Sequence, residues 1–400
     1  MRKFLAVEDM HHLCAGFAMN HNDSTYRVVG HSREHHAIHL LTIDHMPESA
    51  LFLGFPHPNE PLMSLVLPSL LQVAHERQHR GQHASWLIVP VWDIDGVRLN
   101  REWWTQITDH IALKSLLDQY FRPAPNRQVE WTFPIRYQDY QFTTPLPETK
   151  AVMAIIDRYE PQFLFSLHNA LFPEGYVFLD KGLQDVAGQA STILAAHSGV
   201  RLQNPVPYVD EWAPSVYGLP HITREIDYYK EQNIPLPINY GGASFDYGVR
   251  SQSVVVEIPI FARQPQDNLK NVSKDLLKRH WQQFSRLLDK ALMPMVHADS
   301  IPLLVSNPYY FEMRLRNDLP LIYESIDRLD ETQLRRKYQQ DVFTMAVNLA
   351  AIQRQYDPTH KGVTAFLSEL ETMMPERLSV INTDQTVATY RDILGLIFNR

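Results

Sequence analysis

Leu51-Phe52-Leu53-Gly54-Phe55-Pro56-His57-Pro58-Asn59-Glu60-Pro61 is the stretch around which the rest of the chain can be arranged. Three apolar residues rise to a glycine, His57 and Glu60 follow three apart, and Pro61 starts a new element. The run Leu51–Leu53 predicts a buried strand, with His57 and Glu60 in the loop at its end. Catalytic groups favour loops held by rigid elements. A neutral imidazole and a carboxylate at this spacing can grip one Zn²⁺ ion together.

His-x-x-Glu recurs at His31/Glu34 and His45/Glu48. His31 lies between two strand-like runs, Tyr26–Val29 and Ala37–Ile43, and reads as a hairpin turn. His45 sits in the turn after the second run, beside Pro47. Only His57 follows a short buried-type strand and leads into a long helical segment, Leu62 to about Arg80, which Pro68 is expected to kink.

Further strands are expected at Trp86–Trp92, Phe163–Leu167 and Ser253–Ile260. Helices are expected at Trp103–Phe121, Pro147–Tyr159 and Leu183–Ala196. Arg122–Pro147 reads as irregular, and 200–250 as long loops over one face. Strands alternating with helices predict an α/β fold with a mixed, largely parallel central sheet covered on both faces. After Gln264 the strand signals stop. Asp267–Val296, Tyr310–Leu329, Gln333–Gln355 and Val363–Met374 read as helices. The expected division is a catalytic domain over 1–265 and an all-α extension over 266–400.

In sheets of this kind, sites form beyond the carboxyl ends of strands. His168 ends one strand, as His57 nearly ends another. With Glu60 they would make a three-ligand zinc site with an open fourth position. The alternative for His168 is a hydrogen-bonded histidine at a strand end. Glu257 sits inside Val254-Val255-Val256-Glu257-Ile258-Pro259-Ile260, where a carboxylate without a partner is unfavourable. Beside a metal it would serve as general base; on an edge strand it would simply face solvent.

Taken in order, these residues resemble the zinc carboxypeptidase family of metallopeptidases. Pro90-Val91-Trp92-Asp93-Ile94-Asp95-Gly96 is similar to the family's Pro-x-x-Asn-Pro-Asp-Gly segment, with Asp93 and Ile94 as departures. Pro125-Asn126-Arg127 resembles its Asn-Arg pair, Pro147-Glu148-Thr149-Lys150 the helix that follows, and Ser166-Leu167-His168-Asn169 the segment of the third ligand. Tyr240-Gly241-Gly242 through Gly248 is similar to the loop with the mobile tyrosine. The resemblance covers about 25–265. It implies one Zn²⁺ per chain on His57, Glu60 and His168, Glu257 as base, and Arg101 polarising the scissile carbonyl. It also implies Asn126 and Arg127 as a clamp for the substrate carboxylate and Tyr240 as a capping hydroxyl. Asn100/Arg101 is a rival register for the clamp. The implied activity is hydrolysis of an amide or peptide bond beside a free carboxylate. The alternatives are an amidase or deacylase of small N-acyl amino acids, and a silent binding module with the same fold.

The formal charge of −8 and the lack of a long basic run weigh against nucleic acid as a partner. One cysteine, Cys14, excludes an intrachain disulfide framework and fits a reducing, cytoplasmic setting. No apolar run is long enough to span a bilayer, and the first one is too short for a secretory signal. The helical extension is expected either to mediate homo-oligomer formation or to restrict the site. His31, His35, His36 and His39 read as an exposed hairpin, with a second metal site as the alternative, and Trp103/Trp104 as core packing. His75, His79 and His83 fall four apart on one helix face, which reads as a solvated face, with a metal trio as the alternative.

Overall fold

The structure, a computed structural model, describes residues 1–43, 49–79, 85–170, 174–197, 206–233, 236, 239–262, 272–296, 319–320, 322–355 and 359–398. The His45/Glu48 pair and His83 lie outside the described residues, as do 263–271, where the break between domains was expected.

Two compact units form. The first comprises Met1–Asp109, Gln128–Ala262 and Val380–Arg400; the second comprises His110–Arg127 and Arg263–Ser379. This differs from a division near 265. The last helix returns to the first unit because Phe398 packs on Trp86, Phe163 and Phe165 at 5.4–5.7 Å between ring centroids. The segment 110–127 joins the second unit through a two-stranded ribbon, His110–Ala112 with Arg377–Ser379. The Arg354 side chain also donates to the carbonyls of Leu117 and Tyr120.

Within the first unit, nine described strands make one sheet. They are β1 (Ser24–His31), β2 (Ala37–Ile43), β3 (Ser49–Gly54), β4 (Ser85–Val89), β5 (Phe163–His168), β6 (Tyr176–Leu179), β7 (Glu211–Ala213), β8 (Val216–Gly218) and β9 (Gln252–Glu257). Their order is β1-β2-β4-β3-β5-β9-β6-β8-β7. The central run β4-β3-β5-β9 is parallel, and antiparallel pairs β1-β2-β4, β9-β6 and β8-β7 flank it. The sheet is therefore mixed, with its parallel character concentrated where the site lies.

The helices of this unit used below are α1 (Val7–Asn20), α2 (Leu62–His79), α3 (Ile94–Leu99), α4 (Pro147–Tyr159), α5 (Ala187–His197), α6 (Ile222–Glu231) and α7 (Thr383–Phe398). All six residues of β3 are buried, as expected for a parallel strand covered on both faces. Alternation divides them. Leu51 and Leu53 join Leu87, Val89 and Leu164 under Val152, Ile155 and Ile156 of α4. Phe52 turns the other way, 4.9 Å from both Trp86 and Phe165. Each fully buried side chain of this size contributes about 1.5–3 kcal/mol. α4 starts with Pro147 in its first turn, where the missing N–H costs nothing.

Three sequence expectations change. Trp103–Phe121 is not one helix but a 3-10 turn (Trp103–Gln106), the strand His110–Ala112 and a helix Leu113–Gln119. Its β-branched residues Thr105, Ile107, Thr108 and Ile111 favour extended backbone, and the chain leaves the first unit there. The region 200–250 is not merely loops; it holds β7, β8, α6 and a helical turn at Ser244–Tyr247. The turn between β1 and β2 is not simply exposed. His31 and His35 are exposed, but Arg33 pairs with Glu148 at 2.9 Å and Asp93 at 3.5 Å, and Ser32 donates to Asp95 at 2.6 Å.

In the second unit, helices Lys274–Val296, Glu331–Gln355 and Lys361–Thr372 match three of the expected four. Half of Tyr310–Leu329 lies outside the described residues, and 319–320 and 322–327 of the remainder are helical. Trp281 donates to buried Asp341 at 2.7 Å. No helix among the described residues is long and apolar enough to cross a membrane.

The Asp93 network makes a pH prediction. Burial pushes the Asp93 carboxyl up to about 7 from its ordinary 3.8, against the pull of Arg33. The folded state then holds a proton that the unfolded state loses near pH 4. Stability from this group is present at low pH and is lost as pH rises from about 4 to about 7. Asp93→Asn keeps an oxygen for the Gly96 N–H, which Asp93 caps at 3.1 Å, and lacks that titration. Urea unfolding at pH 4 to 7 should show wild type losing stability relative to Asp93→Asn. Parallel curves would contradict the assignment.

Candidate metal centre

β3 delivers the first two ligands by a steric device. At Gly54 an added Cβ would lie 2.4 Å from the Pro90 carbonyl and 2.6–2.7 Å from Met63, so only glycine passes between β4's exit and α2. The chain then turns through Phe55, whose φ is 53°. Trp92 N–H donates to Gly54 O at 3.0 Å and ties the two strand exits together. Glu60 N–H closes a tight turn on His57 O at 3.1 Å, which brings the two side chains of His-x-x-Glu to one side. Pro61 then leads into α2.

His168 is the last residue of β5 and pairs in register with Glu257, the last of β9. β9 is an interior strand between β5 and β6. The edge-strand alternative for Glu257 therefore does not hold.

One donor atom from each of His57, Glu60 and His168 lies within 4.8 Å of the others, and all three residues are buried. Among the described residues this is the only cluster of three such donors. His168 Nδ1 lies 2.9 Å from Glu60 Oε2 and 3.9 Å from Glu257 Oε1. The rings of His57 and His168 are 4.9 Å apart, and Trp131 packs edge-on against His57 at 4.9 Å. The expected ligands and the expected base are thus brought together.

The other nitrogen of His168 explains the ring's orientation. Nε2 lies 2.9 Å from Ser166 Oγ, and Ser166 donates in turn to Glu130 Oε2 at 3.4 Å. Ser166 and His168 share a face because strand side chains alternate. Glu130 is fully buried and accepts from Ser244 N and Oγ at 3.1 and 2.7 Å. Burial pushes its carboxyl up to about 6, with His168 opposing. A carboxylate only accepts, so the Ser166 hydroxyl donates to it and receives the His168 Nε2–H. In the neutral ring the Nδ1 lone pair then faces Glu60 and Glu257. Burial alone would lower the imidazolium's pKa, but Glu60, Glu257 and Glu130 outweigh it and raise the pKa. Three carboxylates around one buried imidazole call for positive charge at this point, and a divalent cation among the three donors meets that demand. The donor set fits a metal.

Ser166 was legible as part of the third-ligand segment. Ser244 lay in the Tyr240–Gly248 segment, which gave no sign of its partner; Glu130 and Trp131 carry no local signal, since each is brought to the centre from a distant segment. Ser166→Ala should keep the fold and weaken metal affinity by about 10–100-fold, the usual cost of losing an outer hydrogen-bond partner. Competition for zinc against a chromophoric chelator measures this, and unchanged affinity would remove Ser166 from the account.

The remaining sequence candidates fall elsewhere. Arg101 is exposed, just past α3, in left-handed backbone with φ 47°. Asn100 is buried and donates to Gly96 O at 3.1 Å, closing the helix end. That use weakens the rival register. Asn126 and Arg127 lie in a 3-10 turn of the second unit. Tyr240 is buried, its hydroxyl donating to Glu225 Oε2 at 2.9 Å and its ring 5.6 Å from Trp131. It stands one aromatic ring behind His57.

No family model and no curated protein matches the chain. Among solved structures it is similar to metallocarboxypeptidases. Bovine thrombin-activatable fibrinolysis inhibitor, in complex with tick carboxypeptidase inhibitor, is 10% identical with a TM-score of 0.42, over 85% of this chain and 98% of that one. A metallo-carboxypeptidase from Burkholderia cenocepacia is 17% identical with a TM-score of 0.35, over 63% of this chain and 60% of that one. One from Pseudomonas aeruginosa, in complex with (2-guanidinoethylmercapto)succinic acid, is 12% identical with a TM-score of 0.39, over 80% of this chain and 70% of that one.

Proposed function

We propose that the first unit is a zinc-dependent hydrolase of an amide or peptide bond beside a free carboxylate. The observation that carries this reading is the buried convergence of His57, Glu60 and His168 with Glu257 beside them on the adjoining strand. His57, Glu60 and His168 would hold one Zn²⁺ per chain, a donor set typical of catalytic zinc with one position left open. When bound, zinc supplies a Lewis acid that polarises a carbonyl and lowers the pKa of a water to about 7.

The chain's own carboxylate does the proton work. The Glu257 side chain is 14% exposed, against 5% for Glu60, so it keeps access to an incoming water. It accepts the proton of the attacking water and returns it to the leaving amine nitrogen as the C–N bond breaks. Trp131 covers one side of His57 and limits solvent there.

The roles of the remaining residues rest on the sequence resemblance. Arg101 would stabilise the developing oxyanion, and its exposure is compatible with meeting a substrate. Asn126 and Arg127 would clamp the substrate carboxylate. For Tyr240 to cap the substrate, its hydroxyl would have to leave Glu225. The substrate on this reading is a peptide or an N-acyl amino acid.

Kinetics on a free and an amidated peptide test the clamp. Arg127→Ala should raise KM strongly and erase the preference for the free carboxylate. Arg101→Ala should instead lower kcat by about 10²–10³ with a smaller change in KM. Swapped phenotypes would transfer the clamp to Asn100/Arg101. Full preference in both variants would contradict carboxylate recognition and leave an amidase that recognises another group.

A further inference from the structure

We infer that the last two turns of α2, with the end of α1, form a second site for a late first-row divalent cation. His21 caps the end of α1, and its Nδ1 lies 2.8 Å from Phe17 O. A carbonyl only accepts, so Nδ1 of His21 carries the hydrogen and Nε2 carries the lone pair. That Nε2 lies 2.9 Å from His75 Nδ1, which must therefore be the donor. His75 Nε2 is then left with its lone pair, and it lies 3.0 Å from His79 Nε2. The direction of the whole chain, Phe17 to His21 to His75, is thus set by one peptide group. It leaves a lone pair on His75 Nε2, facing the equivalent atom of His79.

His75 and His79 are four apart on one helix, so their side chains stand over the same turn. Both are exposed and therefore open to a hydrated ion. At metal–nitrogen bonds of about 2.1 Å, nitrogens 3.0 Å apart subtend about 90°, the cis angle of octahedral or square-planar ions such as Ni²⁺ and Cu²⁺. When an ion binds, the hydrogen of His79 shifts to Nδ1, and its Nε2 becomes the second donor. His21 does not ligate. It accepts from His75 Nδ1–H and orients the ring, as outer partners of metal-bound histidines do. Its own ring is fixed by stacking on Phe17 at 3.9 Å between centroids with planes 9° apart. Because the His75 and His79 side chains are exposed, water can complete the coordination shell.

The test is Ni²⁺ binding to the untagged full chain, by equilibrium dialysis with metal analysis. The variants are His75→Ala, His79→Ala, His21→Ala and, separately, His57→Ala/His168→Ala. The last keeps this site independent of the proposed active centre: it should still bind the Ni²⁺ that His75→Ala and His79→Ala lose. His21→Ala should keep the stoichiometry and weaken affinity by about 10–100-fold. Because His75 and His79 are exposed on the helix surface, their replacement leaves the fold intact, which circular dichroism checks. Undiminished Ni²⁺ binding in both His75→Ala and His79→Ala would overturn the site. Unchanged affinity in His21→Ala would overturn the orienting role of the chain from Phe17.

Discussion

Glu257→Gln is expected to keep the fold and the bound metal while losing hydrolysis by about 10²–10⁴-fold, the range for a lost general base. The amide is close to isosteric with the carboxylate, and β9 pairs on both sides through its backbone, so strand and register should survive. A glutamine cannot take a proton from water at neutral pH. The loss should therefore appear in kcat, with KM little changed. It should not appear in metal content, because the metal reading assigns Glu257 no ligand bond. Turnover within a factor of a few of wild type would place the base elsewhere. Loss of metal together with activity would make Glu257 a ligand instead.

His168→Ala should act on the metal itself. It removes one of three protein donors and also the ring that Ser166 and Glu130 hold in place. Affinity should fall by more than the roughly 10–100-fold typical of an outer partner, which sets this variant apart from Ser166→Ala. Glu60 and Glu257 then lose the positive charge between them, and leaving carboxylates buried without it is costly. A lower melting temperature that added zinc does not restore should accompany the change. Activity should fall to background at ordinary zinc concentrations. A His168→Ala protein with wild-type zinc affinity would exclude His168 as a ligand.

The centre was legible in the sequence where local pattern determines position. Leu51–Leu53 had to be a buried strand, Gly54 had to break it, and His57 and Glu60 had to follow on one short turn. His168 followed an apolar run, whereas Glu257 stood inside one; the strand in fact stops at Glu257, which its parallel register sets level with His168. Strand alternation would also have given Ser166 the same face as His168.

What escaped was set by distance along the chain. Glu130 reaches Ser244 across 114 residues, and Arg33 reaches Glu148 across 115; no local pattern encodes either partner. The Arg33 turn read as exposed because its histidines dominate it, yet its one arginine anchors it to buried Asp93 and Glu148. The helix Thr383–Phe398 has apolar residues at Val387, Tyr390, Leu394 and Ile397, all buried. That periodicity was readable, but its return to the first unit was not, because this depends on Phe398 meeting three aromatic rings of the sheet. The segment 110–127 likewise joined the second unit through a ribbon whose other strand lies some 265 residues later, at Arg377–Ser379.

His57, Glu60 and His168 are proposed to hold zinc together. The most direct test is anomalous diffraction on either side of the zinc edge, from crystals of the whole chain grown with zinc. An anomalous peak should appear bounded by His57, Glu60 and His168, about 2.0–2.2 Å from one donor atom of each. Zinc bound elsewhere in the crystal, with no peak among these three side chains, would contradict this assignment.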